Sequence, residues 1–143
     1  MFKRILLTVD LGHPASWTSA IPTAVDLARL GGGELHVMSV VPSHGSAIVA
    51  SYFPPDFEKK ALAEAKAALD KLVAEEVPKA LGAKTHVAHG TVHEEVLKRI
   101  EALGADLVVM ASHAPDRVRE FLVGSQADRV VRRSPVSVLV VRG

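Results

Sequence analysis

The residues best suited to chemistry gather in the last third of the chain, Leu107 to Arg142. An apolar run ending in Met110-Ala111 leads into Ser112, His113, Ala114, Pro115 and Asp116. Gly124-Ser125 then opens a stretch with helical spacing. The first turn of a helix carries backbone N–H groups without intrahelical partners, and the helix dipole adds partial positive charge there. Such a terminus suits a phosphate, here on the amides of Gly124, Ser125 and Gln126, with Ala127 completing the turn. Ser125-Gln126-Ala127-Asp128 is also a capping pattern in its own right, and a cap and a phosphate cradle use the same amides.

Other groups carry less. His86, His89 and His93 invite a metal reading, but residues 86 and 89 of a strand point to opposite faces, and His93 falls in the first turn of the next helix. These directions do not converge. Ser112, Thr91 and Glu94 form no recognisable triad with a histidine, and neither a P-loop nor a GxGxxG sequence is present. Arg117, Arg119, Arg129, Arg132 and Arg133 enrich the same third in positive charge, which reads mainly as a solvated helix face.

These residues need elements to hold them. Ile5–Val9 is a short buried strand stopped by Asp10, Gly12 and Pro14. Ala15–Leu30 has helical spacing at Ala20, Ala24, Leu27 and Ala28, with Pro22 expected to kink it or shift its start, and three glycines end it. Glu34–Val41 is the second strand. Pro42–Pro55 is a loop, of which Ser43–Pro54 is expected to be the most mobile part. Phe57–Lys79 is the clearest helix, with Leu62, Ala65, Leu69, Leu72 and Val73 in one stripe. Lys84–Ala88 is a third strand, and Thr91-Val92-His93-Glu94 has the capping-box form that starts a helix to about Leu103. Asp106–Ala111, Ser125–Arg133 and Val136–Val141 follow as strand, helix and strand. Alternating strands and helices predict parallel pairing through right-handed crossovers, and near-continuous apolar strands predict a sheet covered on both faces. Ligands of such sheets bind at the carboxyl ends of strands, beside the point where strand order reverses. Asp10 stands there, where it contacts a ligand, caps the first helix or fixes the turn.

The bulk numbers agree. The chain has 143 residues, which fits one domain, residues 1–143, and 48% of them are hydrophobic. The absence of cysteine excludes disulfides, zinc-thiolate sites and thiol catalysis. A net charge of +1 argues against a dedicated nucleic-acid binder. The opening MFKRILLTVD has too short an apolar run for a signal peptide or a membrane span, so a cytoplasmic location is expected.

ILLTVD at the start, ASHAPD at 111–116 and GSQADRVVRRSPVSVLVVR at the end together resemble the universal stress protein family over essentially the whole chain. The ASHAPD stretch, ten residues before Gly124-Ser125 by its last glycine position, is most similar to one bacterial subgroup of short members. The resemblance implies a three-layer α/β sandwich with a five-stranded parallel sheet in the order 3-2-1-4-5, a Rossmann-like adenine nucleotide-binding fold. It implies ATP, with Mg²⁺, as a regulatory ligand in stress response rather than a substrate for turnover. Asp10, with Thr8 and Val9 beside it, would meet the nucleoside, and Val40 would offer backbone atoms to the adenine. Met110, Ala111, His113 and Ala114 would line the crevice. His113 is placed to face the ribose or phosphates, or to make one backbone hydrogen bond. Asp116 would help hold the cation or cap a turn. Nucleotide-binding members carry glycine where this chain has Ala111 and Ala114, with the spacing to Gly124-Ser125 retained. Alanine adds one methyl, tolerated where the backbone is ordinary and costing about 1 kcal/mol or more where φ is positive.

The final strand is expected at the sheet edge, where Val136–Val141 would build a homo-oligomer, as the resemblance also implies. A protein partner is a further expectation. Two rival readings stand beside nucleotide binding. One is a dimeric interaction module with a degenerate pocket, which Ala111 and Ala114 favour. The other is a slow ATPase or an adenylyl-transferring relative, which the lack of a dedicated phosphate motif opposes.

Overall fold

In the computed structural model the described residues are 1–43, 55–112 and 125–142. Five strands, β1 (Arg4–Thr8), β2 (Glu34–Pro42), β3 (Lys84–Gly90), β4 (Leu107–Ser112) and β5 (Ser137–Arg142), form one sheet in the order β3-β2-β1-β4-β5. All four pairings are parallel, as the alternation of elements predicts. Four helices flank the sheet among the described residues: α1 (Ala20–Gly31), α2 (Phe57–Glu76), α3 (Val92–Leu103) and α4 (Ser125–Arg133). Residues 44–54, from the loop expected to be mobile, lie outside the described residues, as do His113, Ala114, Asp116, Arg117, Arg119 and Gly124.

Strand alternation divides the core into two layers. Ile5, Leu7, Leu35, Val37, Leu107 and Val109 pack with Ile21, Val25, Leu69 and Leu72 of α1 and α2. Leu6, Met38, Val108 and Met110 pack with Val96 and Ile100 of α3 and with Ala127 and Val130 of α4. The result is a three-layer α/β/α sandwich, which follows from strands apolar on both faces.

Several boundaries move for identifiable reasons. Pro22 does not kink a helix. It lies in the first turn of α1, where its missing N–H costs nothing, and the chain before it forms a separate 3-10 turn, Pro14–Ser16. Helix α2 ends at Glu76 rather than Lys79, because Pro78 forces Val77 into extended backbone, φ −115° and ψ 132°. β1 and β5 are displaced by one residue from the apolar runs, since ladder partners set the ends of a strand and hydrophobicity alone does not. The capping box at Thr91 also needs correction: α3 starts where expected, but Thr91 makes no side-chain cap bond.

The amino end of the sheet is stitched. Asp106, just before β4, accepts hydrogen bonds from the backbone N–H groups of Lys3 (2.8 Å) and Arg4 (3.0 Å). Burial pushes this carboxyl up, but the backbone N–H groups of Lys3, Arg4 and Asp106 itself, with the N-terminal charge, together outweigh it and hold Asp106 below the usual carboxylate range. Lys3 Nζ donates to the Gly31 carbonyl and Arg4 to the Leu103 carbonyl, at the ends of α1 and α3. A Cβ on Gly31 or Gly33 would lie 2.5 or 2.6 Å from the Phe2 carbonyl oxygen, so the chain there passes too close for any side chain.

Candidate functional site

The strand order reverses between β1 and β4: the chain leaves β1 toward β2 on one side and returns to β4 on the other. Thr8 ends β1, Val9 is buried beneath α1, and Asp10 follows, exposed. Val40 lies near the carboxyl end of β2, and Met110 and Ala111 near that of β4. Thus Thr8, Val9, Asp10, Val40, Met110 and Ala111 occupy the same end of three adjacent strands. Helix α4 is drawn to that end by packing: Ala127 is buried in the same layer as Met38 and Met110, and Val40 packs against that layer. Ser125, exposed, and Gln126, half-buried, therefore open α4 beside the strand ends. Nine of the twelve predicted positions are described. Six are at the carboxyl ends of strands, with Val9 and Ala111 toward the α1 and α2 layer and Val40 and Met110 toward the α3 and α4 layer. Ser125, Gln126 and Ala127 are in the first turn of α4; His113, Ala114 and Gly124 lie outside the described residues.

Asp10 fixes its own turn. Its Oδ1 accepts from the Gly12 N–H at 3.0 Å and its Oδ2 lies 2.9 Å from His13 Nδ1. Its backbone N–H donates to Ser16 Oγ (2.8 Å), and that hydroxyl donates back to the Asp10 carbonyl (3.0 Å). The carboxylate is nevertheless about half exposed. Ala111 lies in regular strand, paired with Val141, and among the described residues no non-glycine residue has positive φ. A glycine is therefore not required at 111 for backbone geometry, and the methyl there carries no strain.

The capping pattern at α4 is not closed by Asp128. That carboxylate accepts from Arg132 Nε at 3.1 Å on both oxygens, one turn along the same helix. Gln126 is engaged instead with α3. Its Oε1 accepts from the backbone N–H of His93 (3.0 Å) and lies 3.2 Å from His93 Nδ1. Gln126 thus satisfies an orphan N–H in the first turn of α3, the task that Thr91 leaves undone. His93 is 6% exposed, and its Nε2 lies 3.5 Å from Arg133 NH1. A backbone N–H can only donate, so Oε1 is the acceptor and His93 carries its proton on Nδ1, leaving Nε2 to accept from Arg133.

The other histidines disperse. His86 faces α3, where Arg99 NH1 is 3.5 Å from its Nδ1, while His89 faces α2 and pairs with Glu58 at 3.3 Å. The opposite-face reading of this strand is correct. His86 Nε2 lies 2.9 Å from Nδ1 of His36, and His36 Nε2 lies 3.2 Å from Glu34 Oε2. Guanidinium donor at one end and carboxylate acceptor at the other orient the chain as Arg99 to His86 to His36 to Glu34. Burial, with the Arg99 charge beside it, pushes the His86 pKa down to about 4. The hydrogen bond from His36 holds Glu34 below the usual carboxylate range, against a smaller desolvation effect. Sequence reasoning missed His36 and the side-chain role of Gln126. A histidine within the apolar β2 run, and His93 on the same helical stripe as Val96 and Ile100, were the available signals. No three His, Asp or Glu side chains among the described residues come together as a metal site.

An open parallel sheet, covered on both faces, whose strand order reverses between β1 and β4, is the class of protein that this geometry defines. The universal stress protein family model matches residues 1–142. The chain is 35% identical over 146 residues to universal stress protein G of Shigella flexneri, an alignment that covers 99% of this chain and all of the relative. It belongs to the universal stress protein family. Among solved structures, the universal stress protein UspA from Lactobacillus plantarum is similar at a TM-score of 0.71 and 22% identity, covering 98% of this chain and 97% of that one. A universal stress protein in complex with cAMP is similar at 0.63 and 21% identity, covering 99% and 97%.

Proposed function

We propose that this protein binds an adenine nucleotide, ATP with Mg²⁺, as a regulatory ligand in stress response. The observation that carries the reading is the seat of α4: the helix follows the carboxyl end of β4, packs on α3, β4 and β5, and opens with Ser125, Gln126 and Ala127, whose first-turn amides have no partner within the helix. The adenine would lie toward Asp10 and Val40, with Thr8 and Val9 beneath the nucleoside. Met110, Ala111, His113 and Ala114 would flank the phosphates, and Gly124 would admit them to the helix end. The unstrained strand geometry at Ala111 supports a binder despite the missing glycine. The cAMP held by a similar protein supports the ligand class. In this reading the nucleotide is a ligand and not a substrate, since Asp10, the described carboxylate at the crevice, is already committed to Gly12 and His13.

Isothermal titration with ATP and Mg²⁺ tests this. Gly124→Glu adds bulk and like charge where the phosphate meets the helix, and should weaken affinity at least about tenfold. Ser125→Ala should cost less, because it removes one hydroxyl and leaves the amides. Wild-type protein that takes up no ATP would favour an interaction module with a degenerate pocket.

We also propose a cytoplasmic homo-oligomer built on β5, which is an edge strand of the sheet among the described residues. Val138→Lys should lower the mass seen by light scattering; an unchanged mass with folding intact would place the interface elsewhere.

A further inference from the structure

We propose that His93 is a positioning residue for the phosphate-binding end of α4, acting through the Gln126 side chain. The inference rests on the nucleotide reading above and adds to it the device that aims the helix. Helices α3 and α4 lie side by side on one face of the sheet. His93 is buried between them and holds α4 near both ends: Gln126 Oε1 in its first turn, at 3.2 Å from Nδ1, and Arg133 in its last, at 3.5 Å from Nε2. A second bond, from the His93 backbone N–H to Gln126 Oε1 at 3.0 Å, makes the attachment two-pronged.

The arrangement separates the two polar ends of Gln126. Its side-chain oxygen is spent on α3. Its backbone N–H belongs to the first turn of α4 and has no partner within that helix. A glutamine at this position without its clamp would be free to fold its own amide back over the helix end, in competition with a phosphate. The clamp also fixes the rotation of α4 about its axis, and hence the direction in which its leading amides point. Placement matters here because a helix-terminus anion site works by aimed donors, and a misaimed N–H loses its hydrogen bond steeply with angle.

The prediction is specific to the phosphates. Gln126→Ala, at a half-buried position, removes both bonds without opening the core. It should weaken ATP about tenfold while adenosine affinity stays within about twofold. His93→Ala keeps the backbone N–H bond to Oε1 and should weaken ATP by about threefold, and the double variant should be no weaker than Gln126→Ala, which already removes both bonds. His93→Asn, whose side-chain N–H can stand in for Nδ1–H, should restore most of the ATP affinity. In the ligand-free wild type, ¹⁵N chemical shifts of His93 should report a protonated Nδ1 and an unprotonated Nε2. The opposite tautomer would overturn the clamp whether or not nucleotide binds. Equal losses for ATP and adenosine, or no loss for either, would overturn the positioning role. Wild-type protein with the expected tautomer that binds no ATP would overturn the nucleotide reading on which the role depends, leaving the clamp a contact between helices alone.

Discussion

Under α1 and α2 the sheet presents Ile5, Leu7, Leu35, Val37 and Val109, and the helices answer with alanine, valine, isoleucine and leucine. Ser39 is the buried polar strand residue on that side. Under α3 and α4 the strands are as apolar, yet His36 and His93 are buried there, His86 is partly buried, and Gln126, Arg99 and Arg133 reach in to meet them. In the first layer the bonds from α2 to the sheet, Lys66 and Asp70 to Thr85 and Glu58 to His89, lie toward β3 at the periphery, and packing closes the rest; in the second, directional bonds join one helix to the other. Non-directional burial holds a helix against a sheet but tolerates small rotations, whereas hydrogen bonds between helices fix angle and register. The layer that carries the candidate phosphate site is the one that needs a fixed angle.

The comparison breaks first on the apolar side. Leu69 is fully buried under α2, and Leu69→Ala should cost about 3 kcal/mol in urea denaturation, with the same loss at pH 5 and pH 8. A loss below about 1 kcal/mol would mean that α2 contributes little to the cooperative unit.

On the other side the signature should be pH dependence. Folding lowers the His86 pKa from 6.5 to about 4. Between these values the unfolded chain binds a proton that the folded protein refuses, so the stability present above about pH 6.5 is lost as pH falls toward 4. After allowance for solvent around the partly exposed ring, the loss should be about 1 kcal/mol. Thermal melts across this range should show it for the wild type, and a shallower slope for His86→Gln. Equal slopes would assign the acid sensitivity to other groups.

The smallest effect sharpens the point. Asp128 and Arg132 also hydrogen-bond on the α3–α4 side, but at the solvent face of α4. Asp128→Ala should change stability by no more than about 0.5 kcal/mol, because exposed pairs one turn apart contribute little. A larger change would show that this pair, and not the buried clamp alone, sets α4.

Much of this was legible in the residues. The strand runs, the helix stripe of α2, the edge position of β5 and the extent of α4 follow from period, punctuation and length. The strand order came from family resemblance, since periodicity cannot rank strands in a sheet. At the crevice, Asp10 and Ser125 could be found because each follows or opens an element. The bonds that orient the site could not. His93 and Gln126 are 33 positions apart, and His36 and His86 are 50 apart. No local pattern reports a partner at that distance. The capping box at Thr91 misled as well: its hydroxyl makes no cap bond, and one first-turn N–H of α3, that of His93, is met by a side chain from another helix.

The stitching by Asp106 makes the sheet resemble a hand fan pinned at the handle. Lys3, Arg4, Asp106 and the ends of α1 and α3 are tied together at the amino end, so β1 and β4 share a pivot there. Six residues of strand make a lever arm of ~20 Å, so opening the blades by ~5° would move their far ends by ~1.7 Å. That travel is comparable to the reach of a hydrogen bond. Spreading of β1 and β4 would thus be amplified at the carboxyl rim of the sheet and damped at the pin.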